Sequence, residues 1–270
     1  MEVDLDAKLA ALIEILAELE NVVVGYSGGV DSTFLLWAAV DTLGAGRVLA
    51  ATGSSPIFSQ RELRAAEKIA RKLGARHRFI PTGQLEDESF ILNPPERCYL
   101  CKREIFSRLA GVAREEGLAC VIEGSNLDDR DAYRPGTRAA REAGVRSPLE
   151  EAKLTKAEIR TLSRRAGLPT WNVPAQTCLV TRFPHGIAIT VELLRQVEAA
   201  EEILRGLGFG ELRVRHHGPI ARIEVAPEEV DRLAQPEVRA RVVAGLKELG
   251  YRYVTLDLEG YKRGSLEIKD

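Results

Sequence analysis

An α/β fold is predicted, a doubly wound parallel sheet with a smaller C-terminal α/β domain, and three observations predict it. Short apolar runs alternate with helix-length stretches from the start of the chain to about Ala166, the pattern of a parallel sheet with helical crossovers. The β-branched run Val22-Val-Val24 suits a strand covered on both faces, and it breaks at once into a small-residue turn, Gly25-Tyr-Ser-Gly-Gly29. The polar loop Glu123-Gly-Ser-Asn-Leu-Asp-Asp129 follows another apolar run, at the kind of strand end where open α/β sheets hold ligands. The expected division is 1–175 for the sheet domain, 176–189 for a cysteine-containing loop and 190–270 for the small C-terminal domain.

Each element follows from local pattern. Leu5, Leu9, Leu12, Ile13 and Leu16 form one helical stripe, so the chain opens with an amphipathic helix packed on the first strand. Arg47 to Thr52 and Arg76 to Ile80 read as the second and third strands. Between them Ser59-Gln-Arg-Glu62 is a predicted capping box, with Gly74 as the stop of its helix. Residues 83–97 are polar and lead to Cys98-Tyr-Leu-Cys101 at the head of a helix that runs to Glu116 and stops at Gly117. Leu118 to Ile122 is the fourth strand, and Thr155-Lys-Ala-Glu158 is a second capping box whose helix ends at Gly167. Residues 168–189 carry Pro169, Pro174, Pro184 and Gly186 without periodicity, which marks a functional loop or long linker. A helix at 190–207, strands at 211–216 and 220–225, helical residues 227–248 broken near Pro236, and a strand at 252–257 complete the prediction.

The 270 residues carry 38 Lys and Arg against 40 Asp and Glu, a net charge of −2 that argues against a nucleic-acid-coating surface. Acidic Glu2, Asp4 and Asp6 stand where a secretory signal would be basic, and no apolar run is long enough to span a bilayer, so a cytoplasmic protein without membrane or nucleic-acid partners is expected. Four cysteines are too few for a disulfide scaffold.

The turn at Ser27-Gly-Gly-Val-Asp-Ser-Thr33 is where chemistry is expected. Gly28 and Gly29 let the backbone turn sharply and approach an anion, Ser27, Ser32 and Thr33 add hydroxyls, and the helix that follows aims its N-terminal amides at the turn. Asp31 has two readings, a Mg²⁺ contact or a simple helix N-terminal charge preference. Gly124, at the end of the fourth strand, is a further nucleotide-contact candidate. No Gly-x-x-x-x-Gly-Lys-[Ser/Thr] occurs. The segment instead resembles the PP-loop of the ATP pyrophosphatase superfamily, whose members cleave ATP between the α and β phosphates and leave AMP on a substrate oxygen.

Cys98 and Cys101, spaced Cys-x-x-Cys at a helix start, can converge on one ion or cluster, and Cys178 in the later loop supplies a third thiol. Three thiols suit an iron–sulfur cluster with one open iron better than a closed zinc site. An incidental role remains open for the pair. Cys120, inside an apolar strand, is expected to be a core residue. The four histidines show no metal spacing, and adjacent His216 and His217 on a strand should face opposite ways.

Further segments, namely Asn93-Pro-Pro-Glu-Arg-Cys-Tyr-Leu-Cys-Lys102, Arg134-Pro-Gly136, Ser147-Pro-Leu149, Cys178-Leu-Val-Thr-Arg-Phe-Pro-His-Gly186, Arg213-Val-Arg215, Ala221-Arg-Ile-Glu-Val225 and Asp257-Leu-Glu-Gly-Tyr-Lys-Arg-Gly-Ser-Leu266, together resemble the LarE family over nearly the whole chain. That resemblance implies a sulfur insertase of nickel-pincer nucleotide synthesis. It would use ATP and Mg²⁺ to adenylate a carboxylate of pyridinium-3,5-biscarboxylic acid mononucleotide, then form a thiocarboxylate as AMP leaves. Two sulfur sources are implied: a [4Fe-4S] cluster on Cys98, Cys101 and Cys178 carrying an extra sulfide, or Cys178 itself, which would become dehydroalanine. The presence of all three cysteines favours the cluster. Arg213 and Arg215, on one face of a strand, are candidates for gripping the mononucleotide phosphate, though an exposed strand face explains them too. Tyr99 is a candidate cover for the pyridinium ring, or a plain core or surface aromatic. Glu201, Glu224 and Asp257 fall in matching segments as possible metal or partner contacts.

A small-molecule mononucleotide, a sulfur donor system and a homo-oligomeric assembly are the expected partners. The main rival is a PP-loop tRNA thiolase, which needs a basic RNA surface that the charge balance does not suggest. A non-sulfur amidating ligase would leave three cysteines idle. An ATP-sensing or cluster-carrying binding protein would hold ATP without releasing pyrophosphate.

Overall fold

The computed structural model describes residues 2–129, 135–174 and 176–262, so the expectations resting on Arg134, Ala175 and residues 263–266 lie outside the described residues. The chain divides into two compact units, Met1–Phe90 with Pro95–Gln176, and Ile91–Pro94 with Thr177–Asp270.

The first unit carries, in order, α1 (Glu2–Ala17), β1 (Val22–Gly25), α2 (Val30–Leu43), β2 (Val48–Ser54), α3 (Gln60–Lys72), β3 (Arg76–Pro81), α4 (Glu88–Ile91, its last residue grouped with the second unit), α5 (Arg97–Glu116), β4 (Cys120–Glu123), α6 (Pro135–Glu142), α7 (Pro148–Glu151) and α8 (Lys156–Arg165). Its four strands are parallel in the order β3-β2-β1-β4. The sheet is covered on both faces because the apolar residues of its strands serve both. Val22, Val24, Val48, Ala50 and Ile122 join one core with α1, α2 and α8 residues, while Val23, Leu49, Ala51 and Val121 join a second core with Phe106, Leu109 and Val112 of α5. The predicted doubly wound parallel sheet is therefore observed. β2 and β3 add on one side of β1 and β4 on the other, so the topological switch point falls between β1 and β4.

Local chemistry explains most boundaries and corrects some. Gly117 ends α5 in the left-handed region at φ 64°, as its stop-signal role requires. The Thr155–Glu158 capping box is formed in both directions. The Ser59 box is not: Ser59 makes no side-chain cap, and α3 begins with the Leu63 N–H donating to the Ser59 carbonyl at 3.0 Å. Ile13 is 41% exposed, so the core stripe of α1 runs through Leu5, Leu12 and Leu16, with Leu9 packed at its edge. Cys120 packs against the core, and burial pushes its thiol pKa up, as befits an inert small residue.

The second unit holds α9 (Val191–Gly206), β5 (Leu212–His217), β6 (Ile220–Val225), α10 (Val230–Ala234), α11 (Pro236–Glu248) and β7 (Tyr253–Leu256). β5 and β6 are antiparallel and β7 is parallel to β6, forming a three-stranded sheet in sequence order. Pro236 splits the predicted helical stretch by opening α11 at its first position, where its missing N–H has no helical partner to lose. The stretch read as unpatterned contains a short 3-10 turn, Leu179–Arg182.

Candidate functional site

At the switch point, β1 passes into a loop knotted by its own hydroxyls. Ser32 Oγ accepts from the Ser27 N–H at 3.3 Å and donates to the Gly29 carbonyl at 3.3 Å, and Ser27 Oγ lies 3.0 Å from Ser32 Oγ. Because the Ser32 proton is committed to Gly29, Ser27 is the donor in that last contact. Thr33 is fully buried, and its hydroxyl meets Tyr26 at 3.5 Å rather than lining the loop. The first backbone bond of α2 runs from the Thr33 N–H to the Gly29 carbonyl, so the amides of Val30, Asp31 and Ser32 precede the helical ladder. Gly28 sits at φ +77°, and a Cβ there would stand 2.8 Å from the Ala66 Cβ on α3. Gly124 brings the β4 loop against the same helix start: its Cβ would meet the Ser32 nitrogen at 3.0 Å. Bare backbone on both sides of the switch point, aimed by a helix N-terminus, has the form of a phosphate cradle.

Asp31 projects from the first turn of α2 and pairs through Oδ2 with Lys156, the first residue of α8. Its Oδ1 is buried with no hydrogen-bond partner among the described residues. Burial pushes the Asp31 carboxyl up, and Lys156 works against that shift. An orphaned carboxylate oxygen beside a phosphate cradle suits the Mg²⁺ that travels with ATP. Lys156 carries no motif that marks it; the β4 loop positions it, since Asp128 Oδ2 accepts its backbone N–H at 2.9 Å.

Cys98 and Cys101 lie one turn apart at the start of α5, Cys98 exposed and Cys101 half-buried, on one helical face as their spacing predicts. Two thiols so placed fit as ligands to a single ion or cluster. Within either unit, no group of three potential ligands is assembled among the described residues. Tyr99, between them, already holds a cation over its ring: the Arg138 guanidinium stands 3.9 Å from its centroid, and its hydroxyl donates to Glu142 at 2.6 Å.

In the second unit, Cys178 is the residue ahead of the 3-10 turn, half-buried, with its backbone carbonyl held by the buried Arg182. Arg182 donates to the Thr177 and Cys178 carbonyls at 2.9 and 3.0 Å, and Glu201 holds its guanidinium in a two-bond clamp at 2.9 and 3.1 Å. Arg215 donates to the Thr181 carbonyl at 2.9 Å and is paired with Glu224 at 2.7 Å. The exposed-face reading of Arg213 and Arg215 is thereby corrected: both are buried, Arg215 against Glu224 and the Thr181 carbonyl and Arg213 against the Tyr261 ring. They do share one face of the sheet, as strand alternation requires. Arg213 lies under the Tyr261 ring at 4.8 Å, and burial together with the Arg182 charge pushes its guanidinium pKa down. Glu201, Glu224 and Asp257, read as possible metal or partner contacts, are ion-paired to Arg182, Arg205, Arg215 and Arg222. His216 is buried against Phe183 and Tyr251 while His217 is half-buried, so the pair does alternate.

A parallel sheet with this cradle at its switch point and no Walker lysine is the mark of an ATP-dependent PP-loop enzyme. Comparison with known proteins agrees. The NAD synthase family model matches residues 9–90, the span from α1 through the cradle and β3 to α4. An NH(3)-dependent NAD(+) synthetase of Chlorobaculum tepidum is 29% identical over 55% of this chain and 54% of its own length. An uncharacterized protein of Synechocystis is 43% identical over 97% of both chains. The pyridinium-3,5-bisthiocarboxylic acid mononucleotide synthase of Lactiplantibacillus plantarum is 40% identical over 97% of this chain and 94% of its own. The chain belongs to the LarE family of sulfur-transferring synthases. Among the described residues, no helix is long and apolar enough to cross a membrane.

Proposed function

We propose that the protein adenylates a carboxylate of pyridinium-3,5-biscarboxylic acid mononucleotide and replaces the activated oxygen with sulfur. The observation that carries this is the cradle formed by Gly28, Gly29 and Gly124 around the start of α2, joined to a chain-long likeness to a synthase of the corresponding bisthiocarboxylate. The carboxylate oxygen attacks the α-phosphorus of ATP and pyrophosphate leaves; a sulfur nucleophile then attacks the acyl carbon and AMP leaves with its electron pair. The loop amides and Ser27, with the helix dipole behind them, hold the pyrophosphate, and Asp31 with its orphaned oxygen holds Mg²⁺. Arg213 and Arg215 take the phosphate of the mononucleotide. An anion beside Arg213 would relieve the burial and Arg182 repulsion that act against its charge. Tyr99 would cover the pyridinium ring by exchanging Arg138 for it, one cation for another.

Cys98, Cys101 and Cys178 would hold a [4Fe-4S] cluster in this reading, and the chemistry such a cluster would supply is an extra sulfide as the nucleophile. Cys178 as its own donor is the second route, in which the Cys178 Cβ–Sγ bond breaks after acyl transfer and dehydroalanine remains. Support for the cluster comes from the sequence, which carries all three cysteines. Residues 1–175 would then be the ATP domain, 176–189 the sulfur loop and 190–270 the mononucleotide-binding domain. The test is anaerobic turnover of the native chain with ATP and the biscarboxylate mononucleotide. Pyrophosphate should appear in step with thiocarboxylate, and an unchanged chain mass selects the cluster. Loss of one sulfur atom from Cys178 selects the sacrificial route. Pyrophosphate release without any sulfur transfer overturns the function.

A further inference from the structure

Gln84 opens a 3-10 turn, Gln84–Glu86, that follows β3 and packs on α5. The preceding Gly83 N–H donates to Glu104 Oε1 at 3.3 Å, which pins the turn three residues past Cys101 on the same helix. Gln84 is 2% exposed, and its two amide atoms are treated unequally. Nε2 points at Cys101 Sγ, 3.7 Å away, while Oε1 is buried with no hydrogen-bond partner among the described residues. The side chain stands in the wall of a cavity of about 260 Å³ together with Asp87, Arg103, Glu104 and Ser107.

A buried carboxamide is disfavoured unless it is paired, and a neutral thiol is a weak acceptor. Leucine or methionine would fill the same place without an orphaned carbonyl. A glutamine that leaves Oε1 unpaired in order to aim an N–H at sulfur makes physical sense if that sulfur carries negative charge or binds a metal, because both strengthen it as an acceptor. We infer that Gln84 is a positioning residue for Cys101: its Nε2–H donates to Sγ and holds the sulfur turned toward Cys98 as a metal ligand. The inference rests on reading Cys98 and Cys101 as metal ligands. It needs neither the cluster route nor any particular sulfur source.

The experiment titrates the metal-free, full-length chain with Co²⁺ under anaerobic conditions and follows the thiolate-to-cobalt charge-transfer band. Outer partners of metal ligands typically govern affinity by about 10–100-fold. Gln84→Met, which removes the N–H and the orphaned carbonyl together, should weaken Co²⁺ binding at least about tenfold while the unfolding midpoint stays near that of the native chain. Gln84→Glu keeps the shape without the donor and should weaken binding as much or more. Cys101→Ser should abolish the band. In the native chain, labelled with ¹⁵N-glutamine, the Gln84 side-chain amide resonance should move on addition of Zn²⁺. Unchanged Co²⁺ affinity in both Gln84 variants, a static amide resonance, or a native chain with no thiolate–cobalt band overturns the inference. A native chain that binds Co²⁺ through the pair but never accepts an iron–sulfur cluster rejects the cluster reading and leaves the role of Gln84 standing.

Discussion

Asn93 Nδ2 donates to the Pro184 carbonyl at 2.8 Å, and the Asn93 carbonyl in turn accepts the Gly186 N–H at 3.0 Å. With Ile189 N–H donating to the Ile91 carbonyl at 2.9 Å, the segment Ile91–Pro94 is stitched to the stretch that follows Cys178. Asn93 is fully buried at φ 54°, a left-handed conformation that asparagine tolerates far better than β-branched or bulky residues. Asn93→Gly keeps the backbone freedom and deletes the side-chain bond, leaving the Pro184 carbonyl without it; we expect a loss of about 1–3 kcal/mol in urea unfolding of the second unit. Asn93→Ala adds the left-handed penalty and should lose about 1 kcal/mol more. Equal stabilities for the two variants would show that the conformation is unstrained.

Gly28→Ala should separate nucleotide chemistry from folding. The new methyl would stand 2.8 Å from Ala66 Cβ at a positive φ, so either the loop or α3 must shift. Strain of about 1–3 kcal/mol is expected in unfolding, whereas pyrophosphate release should fall by about a hundredfold, because a small displacement of a positioned phosphate is enough to lose in-line geometry. A variant that is less stable but equally active would place the phosphates elsewhere.

Glu201 is 1% exposed and accepts from Arg182, Arg205 and the Val214 N–H. Burial pushes its carboxyl up, but the Arg182 charge and hydrogen bonds outweigh this and hold it below its ordinary 4.5. Glu201→Gln should destabilise the second unit by about 3–5 kcal/mol, since the Arg182 charge stays buried without its counter-ion. Limited proteolysis around Thr177 to Arg182 is the second readout, because Arg182 is what fixes the Thr177 and Cys178 carbonyls.

His77 gives the first unit a pH dependence with a definite sign. The Thr52 hydroxyl donates to the Tyr26 carbonyl at 2.8 Å, so its oxygen accepts from His77 and the imidazole proton sits on Nε2. Burial lowers the His77 pKa below 6.5, with Arg71 adding to the shift and Glu67 opposing it. The unfolded chain therefore binds the proton more readily, and the stability present above pH 6.5 is lost as pH falls below it. Asp31, raised above 3.8, acts in the opposite sense, so His77→Gln is the variant that isolates the imidazole. Its urea midpoint should fall less than the native one between pH 7 and 5; parallel pH profiles would remove His77 from the account.

The two capping boxes show how far local pattern reaches. Thr155 and Glu158 form theirs, and Lys8 Nζ donates to Glu158 Oε1 at 2.8 Å while the same carboxylate caps the helix. Ser59 and Glu62 have the same spacing, yet α3 starts without the side-chain cap. Arg213 and Arg215 teach a similar lesson. Alternation along β5 put them on one side, but their burial came from residues on other elements, Glu224 and Thr181 around Arg215 and Tyr261 over Arg213.

Residue order alone was enough for the strand–loop–helix at Val22 to Thr33, the helix stops at Gly117 and Gly167, and the placing of Cys98 with Cys101, since turn chemistry and helical spacing act over a few residues. Chain folding had to supply Lys156 beside Asp31, 125 residues apart, and likewise Gln84 against Cys101 and the arginine grip on the Cys178 turn. Those contacts depend on which helix packs over which strand end. That is set by burial of whole faces, a sum over many distant residues that no short pattern records.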